Sequence, residues 1–306
     1  MRIGLIAQLH GRPGGDLDPS WSDIKSLATT AEAVGFDMFV FEDSLLLRGP
    51  EHADGCWESI AIAAAVAEST STIRFGQSVI NSPYRSPAMT ASIATTLDEI
   101  SQGRYVLGIG AGNTPDSDYE AFGFPTDHRY SRFAEAIEII HTLLRTGKVD
   151  HAGDYYTAKD AELVLRGPSP TGPTINIAAG GAKMLRLVAR YADAWNWWSW
   201  DETPSQIAER MIPIIAELHR ACDEVGRDHH EIERTMDVYS VTPPGFSADG
   251  AGMEQPIAGT ASAIANQLLG LRSLGIAEVR VDFTDKSPAA VEAMAPVVAI
   301  VHADGH

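Results

Sequence analysis

The sequence predicts an α/β fold, a (β/α)8 barrel with an insertion after strand four and a lid-like loop after strand seven. Three observations lead there. Short β-rich runs alternate with longer helical ones along nearly all of the 306 residues. The first four runs begin near residues 3, 37, 73 and 105, a repeat the size of one βα unit. Eight such units in strict order imply a parallel sheet with right-handed crossovers, and eight points to closure. A doubly wound open sheet is the alternative.

Each element has its own local signal. Residues 3–8 are apolar and β-branched, as a buried strand requires. Residues 21–34 then show helical spacing through Ile24, Leu27, Ala28 and Ala31, and stop at Gly35. Strand two is expected at 37–42, an alanine-rich helix at 57–68 and strand three at 73–80. Pro87 opens the next helix at the position where its missing N–H costs nothing, and Gly103 follows its end. Strand four is placed at 105–109 and a helix at 130–144, followed by a Gly/Pro-punctuated insertion over 147–173. Strand five at 174–178, a helix at 182–191, strand six at 194–197 and a long helix at 204–225 come next. Strand seven is expected at 235–239, and the Gly/Pro-rich segment 241–259 reads as a loop long enough to be a lid. Helices at 260–274 and 288–302 flank strand eight at 278–283, so residues 1–306 form a single domain.

Composition narrows the function classes. With 44% hydrophobic and 21% charged residues the chain is an ordinary globular one. A net charge of −18 argues against nucleic acid and anionic membranes as partners, because both are polyanions. No run approaches a membrane span, and Met1-Arg2-Ile3-Gly4 leads into a strand instead of a signal peptide. Two cysteines, Cys56 and Cys222, make no disulfide framework and read as small buried residues of a cytoplasmic protein.

In such a barrel the chemistry belongs to the loops at the carboxyl ends of the strands. Those loops carry Gln8, Leu9 and His10, then Glu42, Asp43 and Ser44, then residues 78–85. Beyond them come Gly110-Ala111-Gly112-Asn113, Ala179-Gly180-Gly181 and Trp197-Trp198-Ser199-Trp200. They are rich in glycine and aromatics and poor in nucleophiles and metal ligands. The run Gly108-Ile109-Gly110-Ala111-Gly112 looks like a dinucleotide fingerprint but fails it, since Asn113 stands where a third glycine belongs. Its plain reading is a strand end whose glycines admit a close backbone.

Ala178-Ala179-Gly180-Gly181, followed by a helix bearing Lys183 and Arg186, is the better anion site, because bare N–H groups at a helix N-terminus bind phosphate. A simple strand-to-helix turn would read the same. Trp195 and Trp197 share one strand face and suit core packing, whereas Trp198 and Trp200 lie in the loop. Loop tryptophans over a barrel mouth line an apolar substrate pocket or pack edge-on to the core. His229 and His230 read as solvated, while His128 and Arg129 begin a helix after Pro125 and suit a structural role as well as a functional one. HExxH, CxxC and P-loop patterns are missing, and Asp116-Ser117-Asp118 lacks the distal ligands of a calcium loop, so no metal is expected.

Several segments together resemble the bacterial luciferase-like superfamily of flavin- and deazaflavin-dependent oxidoreductases. They are RFGQSVINSPYRSP at 74–87, TLDEISQGR at 96–104, LGIGAGN at 107–113, YEAFGF at 119–124 and AGGAKMLRLVARYAD at 179–193. The likeness runs from residue 3 to about 200 and more loosely beyond. It implies a TIM barrel with an insertion, in which a redox ring rests on a bulge after strand three, often at a non-proline cis peptide. The matching bond is Ser78–Val79, with Asn81 in the same segment. The resemblance puts the cofactor phosphate at Ala179, Gly180 and Gly181, and Gly110, Gly112 and Asn113 along its tail. The sugar-phosphate dehydrogenases of that family carry Asp-His where this chain has Asp43-Ser44, and a glutamate where it has Asn113, so a sugar phosphate is not the expected substrate.

His10 and Asp43 remain as titratable groups for proton handling in the mouth, although Asp43 would equally serve to cap its loop. Coenzyme F420 is the favoured cofactor and FMN the alternative. F420 implies hydride transfer to or from a small apolar or aromatic organic substrate, with Trp197, Trp198 and Trp200 as its pocket. FMN implies two-component monooxygenation with a separate reductase. A non-catalytic flavin-binding barrel is a third reading. Relatives imply a homodimer.

Overall fold

The computed structural model describes residues 1–11, 19–48, 53–112, 117–247, 257–283 and 285–304. Its main sheet is a closed, all-parallel barrel. Strand one (Arg2–Ala7) pairs with strand two (Met38–Phe41) and strand eight (Ile276–Phe283), and the order continues through strands three (Arg74–Gln77), four (Tyr105–Gly110), five (Thr174–Ala178), six (Ala194–Ser199) and seven (Glu233–Val241). The pairing Thr174↔Val106 joins strand five to strand four and completes the ring. The open doubly wound alternative is therefore excluded.

The helices form where the apolar spacing demands them and stop where the backbone chemistry does. Ser20 and Asp23 close a capping box at the start of Trp21–Val34, and Gly35 ends that helix at φ 98°. Thr203 and Gln206 do the same for Pro204–Val225. Two expected helices break: Ala261–Gly270 tightens into a 3-10 turn over Leu271–Leu274, and the last one divides into Pro288–Ala293 and Ala295–Ala303.

Short elements lie outside the alternation among the described residues. A hairpin of Leu46–Arg48 and Ala53–Gly55 follows strand two, and the helix Ser117–Phe122 follows strand four. The insertion at 147–173 holds an antiparallel hairpin, Lys148–Ala152 with Thr157–Glu162. Of the expected lid at 241–259, residues 248–256 lie outside the described residues, as does Asn113. The two ends of that loop are tied, Thr242 donating its N–H to the Ile257 carbonyl at 2.9 Å.

The motif TLDEISQGR proves structural. Asp98 accepts hydrogen bonds from the N–H and hydroxyl of Ser169 in the insertion. Arg104 donates to the carbonyls of Ala67, Thr70 and Ile73, pinning the end of the helix Ser59–Ser69 to the start of strand three. At the opposite end of the barrel from the loops that follow the strands, His229 is not a solvated residue. Its ring stacks on His219 at 3.7 Å and 15°, and the Arg234 guanidinium donates to His219 Nε2 at 2.7 Å.

Burial, with the neighbouring His229 and Arg234, holds the His219 pKa below the ordinary imidazole value. A depressed folded-state value means that the unfolded chain takes up the proton first as pH falls, so this group's stabilisation is lost below about pH 6.5. Melting temperature is expected to decline between pH 7 and pH 5, and His219→Gln to flatten the decline. An unchanged slope in that variant would refute the assignment.

Candidate functional site

The barrel opens at the carboxyl ends of its strands into a cavity of about 460 Å³. Its floor comes from an irregularity in strand three. Gly76 of strand three pairs with Val106, and Ile80, in the short strand Ile80–Asn81 that continues it, pairs with Ile109, so this segment spends one more residue than strand four between the same two points. The extra residue lies in the segment Ser78–Val79, a β-bulge whose peptide bond is cis.

Glycines in strand four make room for it. A Cβ at Gly108 would stand 1.9 Å from the Gln77 carbonyl oxygen, and one at Gly110 would stand 3.0 Å from a Val79 methyl. Gly112, at φ 85°, would clash with the Tyr119 hydroxyl. The LGIGAGN run is thus glycine-rich because the bulge and Tyr119 lie across it, which is the close-backbone reading. Ser78, Val79, Asn81, Gly110 and Gly112 all line the cavity.

Two buried carboxylates hold the bulge. Asp43 receives the Arg85 guanidinium at 2.7 and 2.9 Å, the Ser59 hydroxyl at 2.6 Å and the Asn81 N–H at 2.9 Å. With every lone-pair direction used, it positions Asn81 and is no open base. Asp237, on strand seven, receives the Ser78 hydroxyl at 2.6 Å, the Asn196 amide at 3.0 Å and Arg280 Nε at 2.6 Å. Asp237, Arg280 and Asn196 were not among the expected site residues, because they meet only across the closed barrel. Their one local signal is a polar or charged side chain within a strand where burial is expected.

His10 does not itself line the cavity. Its Nδ1 stands 2.7 Å from Glu42 Oε1, and Glu42 does line it. Cys56 adds a sulfur within 4.8 Å of both ligand atoms. Glu42 Oε1 also takes the Leu9 N–H at 2.6 Å, so that oxygen serves hydrogen bonds to two donors.

The tryptophans divide differently from the expectation. Strand six runs on to Ser199, so Trp198 is a strand residue facing the cavity beside Asn196, and Trp197 turns to the opposite face. There Trp197 packs under Gly180, where a Cβ would meet its ring at 2.3 Å. Trp197 is a packing residue and does not line the cavity; Trp198 and Trp200 do. Trp200 stands 5.1 Å from Tyr239, a further lining residue, whose phenol is pushed well above its ordinary pKa by burial, with Asp237 adding to the shift.

Gly180 therefore has a packing reason to be glycine. Gly181 caps the helix Ala182–Tyr191 with open space around it. Ala179, Gly180 and Gly181 follow directly on Ala178, which lines the cavity. Gly180→Ala should cost about 1–3 kcal/mol by displacing the Trp197 ring. Gly181→Ala should cost under about 1 kcal/mol. Equal losses in denaturant titrations would contradict the packing argument.

Fold and site together define a TIM-barrel protein with a concave, aromatic-walled cavity at the carboxyl ends of its strands. Within that class the chain belongs to the luciferase-like monooxygenase family, which matches residues 1–242. It is 28% identical over 223 residues, 71% of its length, to an F420-dependent glucose-6-phosphate dehydrogenase of Amycolatopsis mediterranei. It is 36% identical over 200 residues, 62% of its length, to 4-hydroxyprotoasukamycin monooxygenase of Streptomyces nodosus subsp. asukaensis. The matched regions span 64% and 50% of those two relatives. Among solved structures, an F420-dependent secondary alcohol dehydrogenase superposes with a TM-score of 0.81 over 98% of both chains at 18% identity, a likeness of fold.

Proposed function

We propose that this protein is an oxidoreductase that binds coenzyme F420 in the barrel mouth and moves a hydride to or from a small organic substrate with an apolar or aromatic body. The observation that carries the reading is the bulge at Ser78–Val79, seated on Gly108 and Gly110 and facing a cavity of about 460 Å³, a size suited to a planar ring system. The residues present fit such a group. Val79 and Gly110 offer an apolar, side-chain-poor surface, while Ser78, Asn81 and Asn196 offer hydrogen-bonding edges. The N-terminus of Ala182–Tyr191 at Gly181 offers N–H groups to a phosphate. F420, when bound, supplies a two-electron hydride carrier that does not readily activate oxygen.

The chain's own groups supply orientation, an aromatic wall and proton handling. Asp237 fixes Ser78, and Asp43 fixes Asn81, so both hydrogen-bonding edges of the bulge are preorganised. Trp198, Trp200 and Tyr239 wall the mouth and present aromatic faces to a substrate. Glu42 faces His10 Nδ1, which selects the tautomer with its proton there and leaves Nε2 to accept one. His10 and Glu42 form the proton-handling pair in this reading, and Asp43 positions.

Absorption titrations of the purified protein with F420 and with FMN test it. Tighter binding of F420, with anaerobic hydride transfer and no oxygen uptake, is the expected result. Preferential binding of FMN, with oxygen consumption once reduced, would transfer the assignment to monooxygenation.

A further inference from the structure

The polar groups around the mouth are unbalanced in sign. Glu42, Asp43 and Asp237 all line the cavity, and no lysine or arginine is among the described residues that do so. Two of those carboxylates are neutralised in place, Asp43 by Arg85 and Asp237 by Arg280. Glu42 differs: its ion-pair partner among the described residues is His10, a group charged only when protonated. No lysine or arginine among the described residues pairs with Glu42, so its carboxylate lacks the fixed positive partner that Asp43 and Asp237 each have.

Facing the same space are aromatic surfaces left open. Trp198 is 43% exposed and Trp200 64% exposed, and Trp200 leans on Tyr239 at 5.1 Å and 33°. A carboxylate beside two or three indole and phenol faces is a recognition set for organic cations, since each ring presents a negative face to a positive charge. The chain's net charge of −18 adds a long-range field of the same sense. An anionic substrate would meet that field and Glu42 with no lysine or arginine among the described lining residues.

We propose that the outer part of the mouth selects cationic substrates, amines or quaternary ammonium groups carried on an aromatic or apolar body, and discriminates against anions. The inference rests on the reading above, which gives the inner cavity to the cofactor ring and leaves the outer wall to substrate. It also parts this chain from a relative whose printed substrate is a sugar phosphate.

The test uses the 306-residue chain, with and without added cofactor, and three probes followed by tryptophan fluorescence and calorimetry: benzyltrimethylammonium, phenylmethanesulfonate and benzyl alcohol. The ammonium probe is expected to bind at least about tenfold more tightly than the sulfonate, a gap that cation–π and Coulomb attraction together supply. The gap should narrow as salt is raised from about 0.01 to about 0.5 M, because the Debye length falls across that range. Glu42→Gln, which keeps an acceptor for the Leu9 N–H, should remove most of the gap and leave benzyl alcohol affinity within about twofold.

Equal or tighter binding of the sulfonate overturns the proposal, and so does failure of all three probes to bind at millimolar concentration. If Glu42→Gln does not fold, the salt dependence of the wild-type gap decides the question alone. The cofactor titration separates the two readings. An ammonium preference without binding of F420 or FMN sinks the proposed function and keeps the charge selectivity; cofactor binding without that preference does the reverse.

Discussion

Asp237→Asn is expected to destabilise the protein by about 3–5 kcal/mol and to abolish tight cofactor binding. Arg280 is 1% exposed, and its ion pair with Asp237 is the salt bridge it makes among the described residues. Replacing the carboxylate by an amide leaves that guanidinium charged and uncompensated in the barrel interior, where a lone charge costs several kcal/mol. The same change confronts three donors, from Ser78, Asn196 and Arg280, with a group that has only one acceptor oxygen.

Ser78 then loses the anchor that sets its place in the bulge, which links stability to cofactor affinity. Denaturant melts and an absorption titration read the two effects. The double variant Asp237→Asn/Arg280→Met removes the orphaned charge and should recover a large part of the stability but not the affinity. A single variant within about 1 kcal/mol of wild type would show that the ion pair does not matter to the fold.

Asp43→Asn is the second large effect, of about 3–5 kcal/mol, and it separates two roles for this residue. The Asp43 carboxylate is buried and accepts four hydrogen bonds, two of them from Arg85 in a paired fork. An amide keeps one acceptor and turns an N–H toward Arg85 or Asn81. Positioning of Asn81 thus predicts a joint loss of stability and cofactor affinity. A general base would instead lose turnover with affinity and melting temperature intact. The second pattern would sink the positioning argument.

Much of the architecture was legible along the chain, for a local reason. Periodicity separates a buried parallel strand from an amphipathic helix, and caps such as Ser20 and Gly35 mark helix ends residue by residue. The interruption of strand three was accessible only through its resemblance to a family, because RFGQSVINSP reads by composition as one continuous strand. The glycines of strand four are its complementary signature, and their cause emerges once Gly108 is seen beneath the Gln77 carbonyl.

What the sequence determined on its own was the class of fold, the eight strand positions and the set of loops among which a site had to lie. Each of these follows from interactions between residues close in the chain. The tertiary structure alone decided which residues share the site. Strand six extends far enough to turn Trp198 inward and Trp197 under Gly180. Barrel closure sets Asp237 against Arg280, 43 residues away, and against Ser78, 159 residues away. Asp43 meets Arg85, 42 positions further along the chain, only once the intervening segment has folded back. Such pairings depend on strand register across a ring, and register is set by the packing of the whole sheet, not by any local pattern.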